Sequence, residues 1–304
     1  TAPIGYKLTI TGNINGDLYW ITDQARLDQS DYSGIQARLY PQVKVDWRFP
    51  FVREMGNVRQ ILEPRVALIA APPRLNTSKI PNEDSLNFEF DDTNLFRFNR
   101  YPGYDRVSDG VRLVYGLGTT FLGNRGGRTE FFLGQSFRIL GNNNLDESTG
   151  LRDRISDLVG RVTIAPGPYL NLTYRFRLEP TKLKLRRNEV TLVASILRTN
   201  LAVTYLDFPD DNPDDGIPRR REISFGLSAN LTSNWTVFGG ARYDLGDTKG
   251  FINWRFGGQF KNECCTVRMT YSRSFTRDRD FQPDTTLLIQ IVLKHLGQIA
   301  TSGG

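Results

Sequence analysis

The sequence predicts an all-β protein: an antiparallel transmembrane β-barrel of the outer-membrane type, with about fourteen strands. Three observations favour this fold class. Apolar and polar residues alternate with a period of two through most of the chain, and helical periodicity is missing. Many alternating rows run for roughly 10 to 14 residues, about twice the length of a typical globular strand. The connections between rows are of very unequal length.

Five rows show the alternation most clearly. In chain order their apolar residues are Val43, Val45, Trp47 and Phe49; Leu170, Leu172, Tyr174, Phe176 and Leu178; Ile223, Phe225, Leu227, Ala229 and Leu231; Ile252, Trp254, Phe256 and Phe260; and Leu287, Ile289, Ile291 and Leu293. Between them lie polar residues such as Arg175, Arg177, Arg255 and Arg268. A soluble sandwich also alternates in this way, so a large soluble all-β protein stays open on the alternation alone.

Aromatic residues and turns favour the membrane alternative. Aromatic side chains close many apolar rows, as the girdles of outer-membrane barrels do: Trp20, Tyr40, Tyr169, Tyr205, Trp235 and Tyr243. The connections "APGPY" and "LRTN" are short, whereas 73–107, 141–153 and 207–220 are long and polar. Short turns on one side and long loops on the other are typical of these barrels.

Composition bounds the possible partners. The 304 residues carry 39 Lys+Arg and 33 Asp+Glu, a net charge of +6, which weakly favours an anionic partner. Basic residues form no compact run beyond Arg219–Arg221 and Lys184–Arg187, which argues against nucleic acid. No apolar run reaches the roughly 18 to 20 residues of a membrane helix. The start "TAPIGYKLTITG" has no signal peptide and begins almost inside a strand, as expected for a mature fragment or part of a longer chain.

Residues for catalysis or metal binding are scarce. The chain has one histidine, His295, and two cysteines without Cys-x-x-Cys spacing. The glycine-rich "GLGTTFLGNRGG" lacks the lysine of a phosphate loop, and the acidic "FPDDNPDDGIPRRR" lacks the ligand spacing of a calcium loop. We therefore expect no enzymatic activity, no metal and no cofactor.

One long loop differs from a simple connection. Residues 89–110, "EFDDTNLFRFNRYPGYDRVSDG", are rich in Phe, Tyr, Asn and Arg. Loops that carry their own packing residues usually fold back onto the body or act in binding. Arg97, Arg100 and Arg106 alternate with acidic residues at 91, 92, 105 and 109, which predicts an internal ion-pair network. Capping the barrel mouth and contacting substrate are both open roles.

The cysteines stand side by side in "NECCTV", residues 262–267. The stretch has the pattern of a strand, on which Cys264 and Cys265 would point to opposite faces. A bond between neighbours would require a distorted peptide. Within these 304 residues, neither cysteine has another candidate partner.

Taken together, these motifs resemble the LptD family, the barrel of the lipopolysaccharide-assembly translocon in Gram-negative outer membranes. The resemblance is carried by "LEPR" at 62–65, "NLFRFNRYPGYDRVSDGVRLVYGLG" at 94–118, "GQSF" at 134–137, the pair at 264–265, and "LKHLG" at 293–297. It covers nearly the whole chain, and the most specific part is 99–109 combined with a downstream Cys-Cys.

The resemblance implies a role for the cysteines and a domain arrangement. In that family, adjacent cysteines on a late strand bond to two cysteines far upstream, in an N-terminal periplasmic domain. Cys264 and Cys265 would be the acceptors. Residues 1–304 would form a single segment, the C-terminal part of a barrel of about 26 strands. The periplasmic jellyroll domain and the first barrel strands would lie outside it.

The resemblance also implies a mechanism and partners. Lipopolysaccharide would pass through a polar lumen, lined by Arg175, Arg177, Arg255 and Arg268, and through a lateral gate into the outer leaflet. The loop and lumen candidates are Asn99, Arg100, Gly103, Tyr104, Asp105, Arg106 and Asp109. The last strand, about Asp284 to Lys294, would form one side of the gate through Thr286, Leu288, Gln290, Val292 and Lys294. Implied partners are lipopolysaccharide, outer-membrane lipid, an LptE-like lipoprotein plug, and the periplasmic Lpt bridge proteins through the N-terminal domain.

Two features of this segment depart from the family's complete barrel, and two alternative functions stay open. A partial barrel leaves backbone groups unpaired in lipid, and without the jellyroll it cannot receive substrate, so this segment is not expected to act alone. The alternatives are a passive outer-membrane porin and a structural β-protein without a transport role. A porin has no reason to carry the cysteine pair or the 99–109 loop.

Overall fold

The computed structural model describes residues 5–26, 29–85, 89–141, 149–209, 220–246, 249–275, 282–293 and 297–303. Sixteen β-strands account for most of them. The strands are β1 Lys7–Arg26, β2 Gln29–Arg48, β3 Phe51–Met55, β4 Val58–Ala70, β5 Val111–Gly123, β6 Arg128–Leu140, β7 Leu158–Gly167, β8 Leu170–Glu179, β9 Lys184–Ile196, β10 Thr199–Phe208, β11 Arg220–Asn230, β12 Trp235–Asp244, β13 Gly250–Lys261, β14 Cys265–Ser274, β15 Asp284–Leu293 and β16 Gly297–Gly303. Within the described ranges, no helix is long and apolar enough to cross a membrane.

The predicted all-β antiparallel fold class is confirmed. Fifteen strands follow one another in a single antiparallel sheet, in the order β1-β2-β4-β5 and then in chain order to β16. The short β3 pairs with β4 alone, from Met55 opposite Val58 to Phe51 opposite Leu62. The described residues contain sixteen strands, and the prediction was about fourteen, to within one or two.

The chain divides into two compact units. Unit 1 comprises residues 1–124, 130–162 and 175–185, and unit 2 comprises 125–129, 163–174 and 186–304. Unit 1 holds the β1–β2 hairpin, β3 to β5, most of β6 and the long segment 71–110. Unit 2 holds most of β9 and all of β10 to β16.

The β1–β2 hairpin of unit 1 separates apolar from polar side chains by strand alternation. On one face the side chains of Ile14, Leu18 and Trp20 are 73%, 76% and 82% exposed. On the other face Arg38 and Tyr40 are buried. The prediction that Tyr40 belongs to an outward aromatic girdle is therefore wrong. Its ring lies 5.4 Å from the Arg38 guanidinium, on the polar face.

The hydrophobic core of unit 1 lies between its strands and the segment that follows β4. Buried side chains of β4, β5, β7 and the connection before β7 meet buried side chains of segment 71–110, and Phe98 and Phe132 pack at the edge. The buried members are Ala67, Ile69, Phe90, Leu95, Phe96, Val114, Leu151 and Val159. Burying these apolar groups stabilises the packing of segment 71–110 against the strands of unit 1, by about 25 cal/mol per Å² of apolar surface buried.

Candidate functional site

The long segment between β4 and β5, described over residues 71–85 and 89–110, is a folded element held by its own side chains. The Asp84 carboxylate accepts hydrogen bonds from the backbone N–H groups of Tyr104 (2.7 Å) and Asp105 (3.0 Å). In return, the Asp105 carboxylate accepts hydrogen bonds from the backbone N–H groups of Glu83 (2.8 Å) and Asp84 (3.1 Å). The two carboxylates thus join residues 83–84 to residues 104–105 reciprocally. The hydrogen bond from the Tyr104 N–H, reinforced by that from Asp105, lowers the pKa of Asp84 from 3.8 to about 2.

Gly103 and Tyr104 form the tip of this element. The Asp84 carboxylate occupies the space in which a side chain at Gly103 would lie, so only glycine fits there without displacement. The Tyr104 side chain is 79% exposed, although its backbone takes part in the bonds above. Among the predicted loop residues, Tyr104 is the one that presents a large side chain to the surroundings.

Arg38 of β2 ties the tip to the β1–β2 hairpin. Its guanidinium donates to the backbone carbonyl oxygens of Tyr104 and Asp105, the latter at 3.0 Å. It also donates to the Asp17 carboxylate at 2.6 Å and to the Tyr19 hydroxyl at 2.9 Å. The Arg38 side chain is buried, so the strength of these charge-assisted bonds is not diluted by water. Neither Arg38 nor Asp84 was a predicted site residue, because no sequence motif marks them.

The other predicted loop residues are also used within the segment. Asn99 accepts a hydrogen bond from the Ser108 N–H (3.0 Å) and donates one to the Arg106 carbonyl (3.2 Å). Arg106 donates to the carbonyl of Ile80 at 3.0 Å. Asp109 accepts a bond from the Leu75 N–H at 3.3 Å. These side chains therefore fix the backbone of the segment.

Arg100 connects segment 71–110 to β6. Its guanidinium donates to the Ser136 hydroxyl of β6 at 2.8 Å and lies 5.2 Å from the Phe90 ring centroid. Burial, and secondarily the nearby Arg112 cation, hold the pKa of Arg100 well below its ordinary value. Arg112 donates to the carbonyl oxygens of Arg97 (2.6 Å) and Phe98 (2.7 Å). Two cations thus hold the segment through neutral oxygen acceptors.

The ion-pair network inside the loop stays a prediction, and Asp92 forms its ion pairs outside the loop. Asp92 pairs with two strand arginines, Arg161 of β7 at 3.0 Å and Arg175 of β8 at 3.2 Å. Burial raises the pKa of Asp92, and the two guanidiniums oppose that rise. Asp92 reaches these two arginines because the loop folds back onto the strands.

A polar groove lies on one face of β10 to β15 in unit 2. It has a volume of about 610 Å³. Small polar residues line it together with three arginines, Arg242, Arg255 and Arg273. Arg242 donates to the Glu222 carboxylate at 2.6 Å. Thr286 of β15 also lines the groove, as its predicted position on the polar face requires.

The four arginines predicted to line a lumen have different surroundings. In unit 1, Arg175 pairs with Asp92, while Arg177 lies 3.4 Å from the Asp157 carboxylate and donates to the Thr149 carbonyl at 3.2 Å. In unit 2, Arg255 lines the groove, and Arg268 lies 4.4 Å from the Phe238 ring centroid. Arg175 and Arg177 are thus structural ion-pair residues.

The cysteine pair lies at a turn. The prediction that both cysteines lie within a strand is wrong: Cys264 belongs to the connection between β13 and β14, and Cys265 is the first residue of β14. The Asn262 side-chain oxygen accepts hydrogen bonds from the backbone N–H groups of Cys264 (3.1 Å) and Cys265 (2.7 Å). Cys264 is exposed, Cys265 is half-buried, and the two are not bonded to each other. An asparagine bonded in this way stabilises a tight turn.

The end of unit 2 that carries this turn follows from strand direction. Consecutive antiparallel strands alternate in direction, so every second connection lies at the same end. The connections 197–198, 231–234, 262–264 and 294–296 share one end, and the longer connections 209–219, 245–249 and 275–283 share the other. The cysteine turn therefore lies at the end with short turns.

The predicted gate strand is not the last strand. β15, Asp284–Leu293, pairs on one side with β14 and on the other with β16. Thr286, Leu288, Gln290 and Val292 alternate with the exposed Leu287, Ile289 and Ile291, as expected. The prediction that this strand forms the terminal edge of the sheet is wrong, because β16 pairs with that edge. Lys294 lies outside the described residues.

An antiparallel sheet with an apolar and a polar face, a segment folded onto the wall, and long connections at one end together define the outer-membrane β-barrel class. Within that class, the model of the family described as "LptD: LPS transport system D" matches residues 1–247. The chain belongs to the LptD family. The matched range contains segment 71–110 and ends before Cys264, Cys265 and β15.

Curated relatives agree with the family. The chain is 26% identical over 252 residues to the LPS-assembly protein LptD of Xylella fastidiosa, covering 80% of this chain and 31% of that protein. It is 27% identical over 280 residues to the same protein of Xanthomonas oryzae pv. oryzae, covering 86% and 33%. The Alcanivorax borkumensis relative is 28% identical over 262 residues, covering 80% and 32%. The chain spans about a third of the length of these relatives.

Solved structures with some likeness are porins. The chain matches engineered variants of the Rhodopseudomonas blastica porin at 12% identity, with TM-scores of 0.38 and 0.39. Each match covers 97% of this chain and 93% of the porin chain.

Proposed function

We propose that this chain is part of the wall of an outer-membrane barrel that inserts lipopolysaccharide into the outer leaflet of a Gram-negative bacterium. The observation that carries the proposal is the family match over residues 1–247. Relatives that bear the name LPS-assembly protein support the substrate class. The proposed location is the outer membrane, with the apolar face of the strands toward lipid.

The polar groove supports a path for the sugar part of the substrate. Lipopolysaccharide carries phosphate groups and acidic sugars, which guanidinium groups bind well. Arg255 and Arg242 line the groove, and Arg242 is partly neutralised by Glu222. In this proposal the groove gives a polar path of low affinity, and the acyl chains leave sideways into the bilayer. The chain performs no chemical reaction on the substrate.

Segment 71–110 is proposed to close the polar side of unit 1. It is held by a hydrophobic core and by Arg38, Arg100 and Arg112 rather than by a single contact. A folded closure of this kind would limit leakage through the barrel. Exposed Tyr104 is its proposed contact with substrate.

The remaining partners and sites are proposals from the family. Cys264 and Cys265 are proposed to bond to cysteines of an upstream periplasmic domain, which receives lipopolysaccharide from the bridge proteins. Their position at the short-turn end of unit 2 supports this, because short turns face the periplasm in such barrels. An LptE-like lipoprotein would contact the polar face. The lateral gate is proposed at the edge of β16, the strand that pairs with β15 on the side away from β14.

Site-specific photocrosslinking in the full-length protein tests the proposal. Benzoylphenylalanine would replace Ser272, which lines the groove on the polar face of β14. We expect an adduct with lipopolysaccharide while transport is running, and loss of that adduct when supply from the periplasm is blocked. Absence of any adduct from Ser272, Asn253 and Thr286 would contradict a path along the groove.

A matched control comes from the opposite face of the same strand. Met269 is 53% exposed on the apolar face of β14. A photocrosslinker there should capture membrane lipid whether or not transport is running. A supply-dependent adduct at Met269 and none at Ser272 would place the path outside the groove. Disulfide mapping of the full-length protein, purified without reductant, separately tests the role of Cys264 and Cys265.

A further inference from the structure

A second polar pocket of unit 2 lies at the end of the strands that carries the short turns. It has a volume of about 470 Å³, and small-molecule sites typically have about 300–1,000 Å³. Its lining comes from the turns β9–β10 and β11–β12 and from the ends of β11, β12 and β13. It shares no residue with the groove lined by Arg242 and Arg255. Every residue that lines it is polar, and two are cations, Arg198 and Lys261.

The two cations of this pocket have no acidic partner. No acidic residue lines the pocket, and among the described residues neither side chain forms an ion pair or a hydrogen bond. The nearest acid in the sequence, Glu263, belongs to the cysteine turn and forms no ion pair with Lys261 in the part of the chain that the structure describes. A third cation, Arg268 of β14, lies opposite Gln259 on the same face. The potential of the pocket is therefore positive, which favours an anionic ligand.

The hydrogen bonds around the pocket use its acceptors and leave its donors. Asn230 Oδ1 accepts a bond from the Thr236 hydroxyl at 2.7 Å, and Asn234 Oδ1 accepts one from the Ser233 hydroxyl at 2.8 Å. The Thr232 hydroxyl oxygen accepts two backbone N–H groups, at 3.2 and 3.0 Å. As far as the described residues go, the donors without a protein acceptor are the side-chain N–H groups of Arg198, Asn230, Gln259 and Lys261.

We propose that this pocket binds a phosphate group carried by a sugar. A guanidinium such as that of Arg198 can bind two phosphate oxygens at once, and the Lys261 ammonium adds a point charge. The pocket is larger than a phosphate ion, and the rest of its lining is amide and hydroxyl groups. Sugar hydroxyls both donate and accept hydrogen bonds, and the Gln259 amide offers one group of each kind.

The site deepens the proposed function and rests on it for the identity of the sugar. Short turns face the periplasm in such barrels, so the pocket lies where lipopolysaccharide would first meet the polar face of unit 2. The phosphate groups on its sugars would bind here before the sugars reach the groove. Arg198 and Lys261 are exposed, and exposed charge pairs are weak in water. Weak binding suits a substrate that has to move on.

Ligand-observed NMR on the purified full-length protein in detergent tests the site. The probe is N-acetylglucosamine 1-phosphate, and N-acetylglucosamine and inorganic phosphate each carry one half of its chemistry. We expect the sugar phosphate to bind more tightly than either half. Arg198→Gln and Lys261→Gln should each weaken its binding by about fivefold, because each removes one exposed charge contact. Arg198→Lys should keep most of the affinity, since it keeps the charge.

Two further variants serve as controls. Lys249→Gln removes the same charge as Lys261→Gln from an exposed connection at the other end of unit 2, and it should change nothing. Gln259→Leu should weaken binding of the sugar phosphate and leave that of inorganic phosphate unchanged.

Two results would overturn the proposal. One is an unchanged affinity for the sugar phosphate in both Arg198→Gln and Lys261→Gln. The other is an equal affinity for the sugar phosphate and inorganic phosphate, since the sugar would then play no part. These affinities are measured without transport, whereas photocrosslinking at Ser272 depends on it, so a failure of the proposed function can be told apart from a failure of this site.

Discussion

The Asp84 carboxylate fills the space beside Gly103 in which any larger residue would place its side chain. The same carboxylate accepts the N–H groups of the next two residues, Tyr104 and Asp105. A glycine and an acidic residue nineteen positions apart in the sequence (103 − 84) thus fix the tip of segment 71–110.

Gly103→Ala should loosen the tip. The new methyl group would collide with Asp84, and moving the carboxylate would break its bonds to Tyr104 and Asp105. We expect a destabilisation of the segment of about 1–3 kcal/mol. Limited proteolysis of the full-length protein in detergent, with cleavage mapped to residues 81–106, measures this directly.

Two substitutions serve as controls for that experiment. Gly12→Ala lies in β1 where nothing lies within 4 Å of an added Cβ, so it should leave cleavage unchanged. Tyr104→Ala removes an exposed ring but keeps the backbone bonds, and its effect should stay within about 0.5 kcal/mol. Equal cleavage of Gly103→Ala and Gly12→Ala would contradict the steric role of Asp84.

The tip should also respond to strong acid. The pKa of Asp84 lies at about 2 in the folded protein, below its ordinary 3.8. A carboxyl group whose pKa is lowered in the folded protein stabilises the fold at pH values above its ordinary pKa. This contribution is lost as the pH falls from about 4 through 2. Pepsin cleavage within 81–106 should therefore increase over that window. Asp84→Asn should be cleaved readily throughout, without the pH-dependent step, and an unchanged step in that variant would assign the titration to another group.

The strand pattern was predictable because alternation is a local property. Each of the five predicted rows lies within or at the end of an observed strand, as Leu287 to Leu293 in β15 illustrates. Even the Tyr40 error was avoidable by the same rule, since Tyr40 shares its parity with Gln42, which is on the polar face. The interactions of segment 71–110 were not predictable, because Arg38, Asp84 and Ser136 meet its motif only through tertiary folding.

The cysteine turn shows a second limit of local patterns. "NECCTV", residues 262–267, was predicted as strand, but β14 begins only at Cys265, so the prediction included the three turn residues 262–264. The signal for a turn was Asn262, whose side-chain oxygen accepts both cysteine N–H groups. The family resemblance located the cysteines but gave no information about this local geometry.

Arg100 should be replaceable by an apolar residue of similar size more easily than by a small one. Its guanidinium is desolvated and lies near the second cation Arg112, which lowers the pKa of Arg100 and costs stability. Arg100→Ala removes both the bond to Ser136 and the packing over Phe90, with an expected loss of about 3 kcal/mol. Arg100→Met keeps the packing and should lose less than half as much. Thermal unfolding of the full-length protein in detergent ranks the two variants, and equal losses would contradict the packing argument.

The two cysteines should differ in reactivity once reduced. Cys264 is exposed in the turn, whereas Cys265 is half-buried at the start of β14. The experiment uses the full-length protein with its upstream cysteines replaced by serine. The Cys265→Ser variant, in which Cys264 remains, should react with a maleimide several-fold faster than the Cys264→Ser variant, in which Cys265 remains. Asn262→Ala removes the shared acceptor of the turn and should reduce the difference. Equal rates with Asn262 intact would show that the turn is open in the assembled barrel.

The pairing of β16 with β15 gives a testable prediction about the register of these two strands. Gln290 of β15 lies opposite Ala300 of β16, and Leu288 lies opposite Ser302. Opposite positions of antiparallel strands bring Cβ atoms to about 4.5–5.5 Å, whereas diagonal positions are about 7–8 Å apart. With all native cysteines replaced, Gln290→Cys with Ala300→Cys should therefore form a disulfide under mild oxidation. The diagonal combination, Gln290→Cys with Gln298→Cys, should stay reduced. Efficient bonding of the diagonal pair would shift the register by two residues, and no bonding in either variant would leave β15 as the terminal edge of the sheet and of the proposed gate.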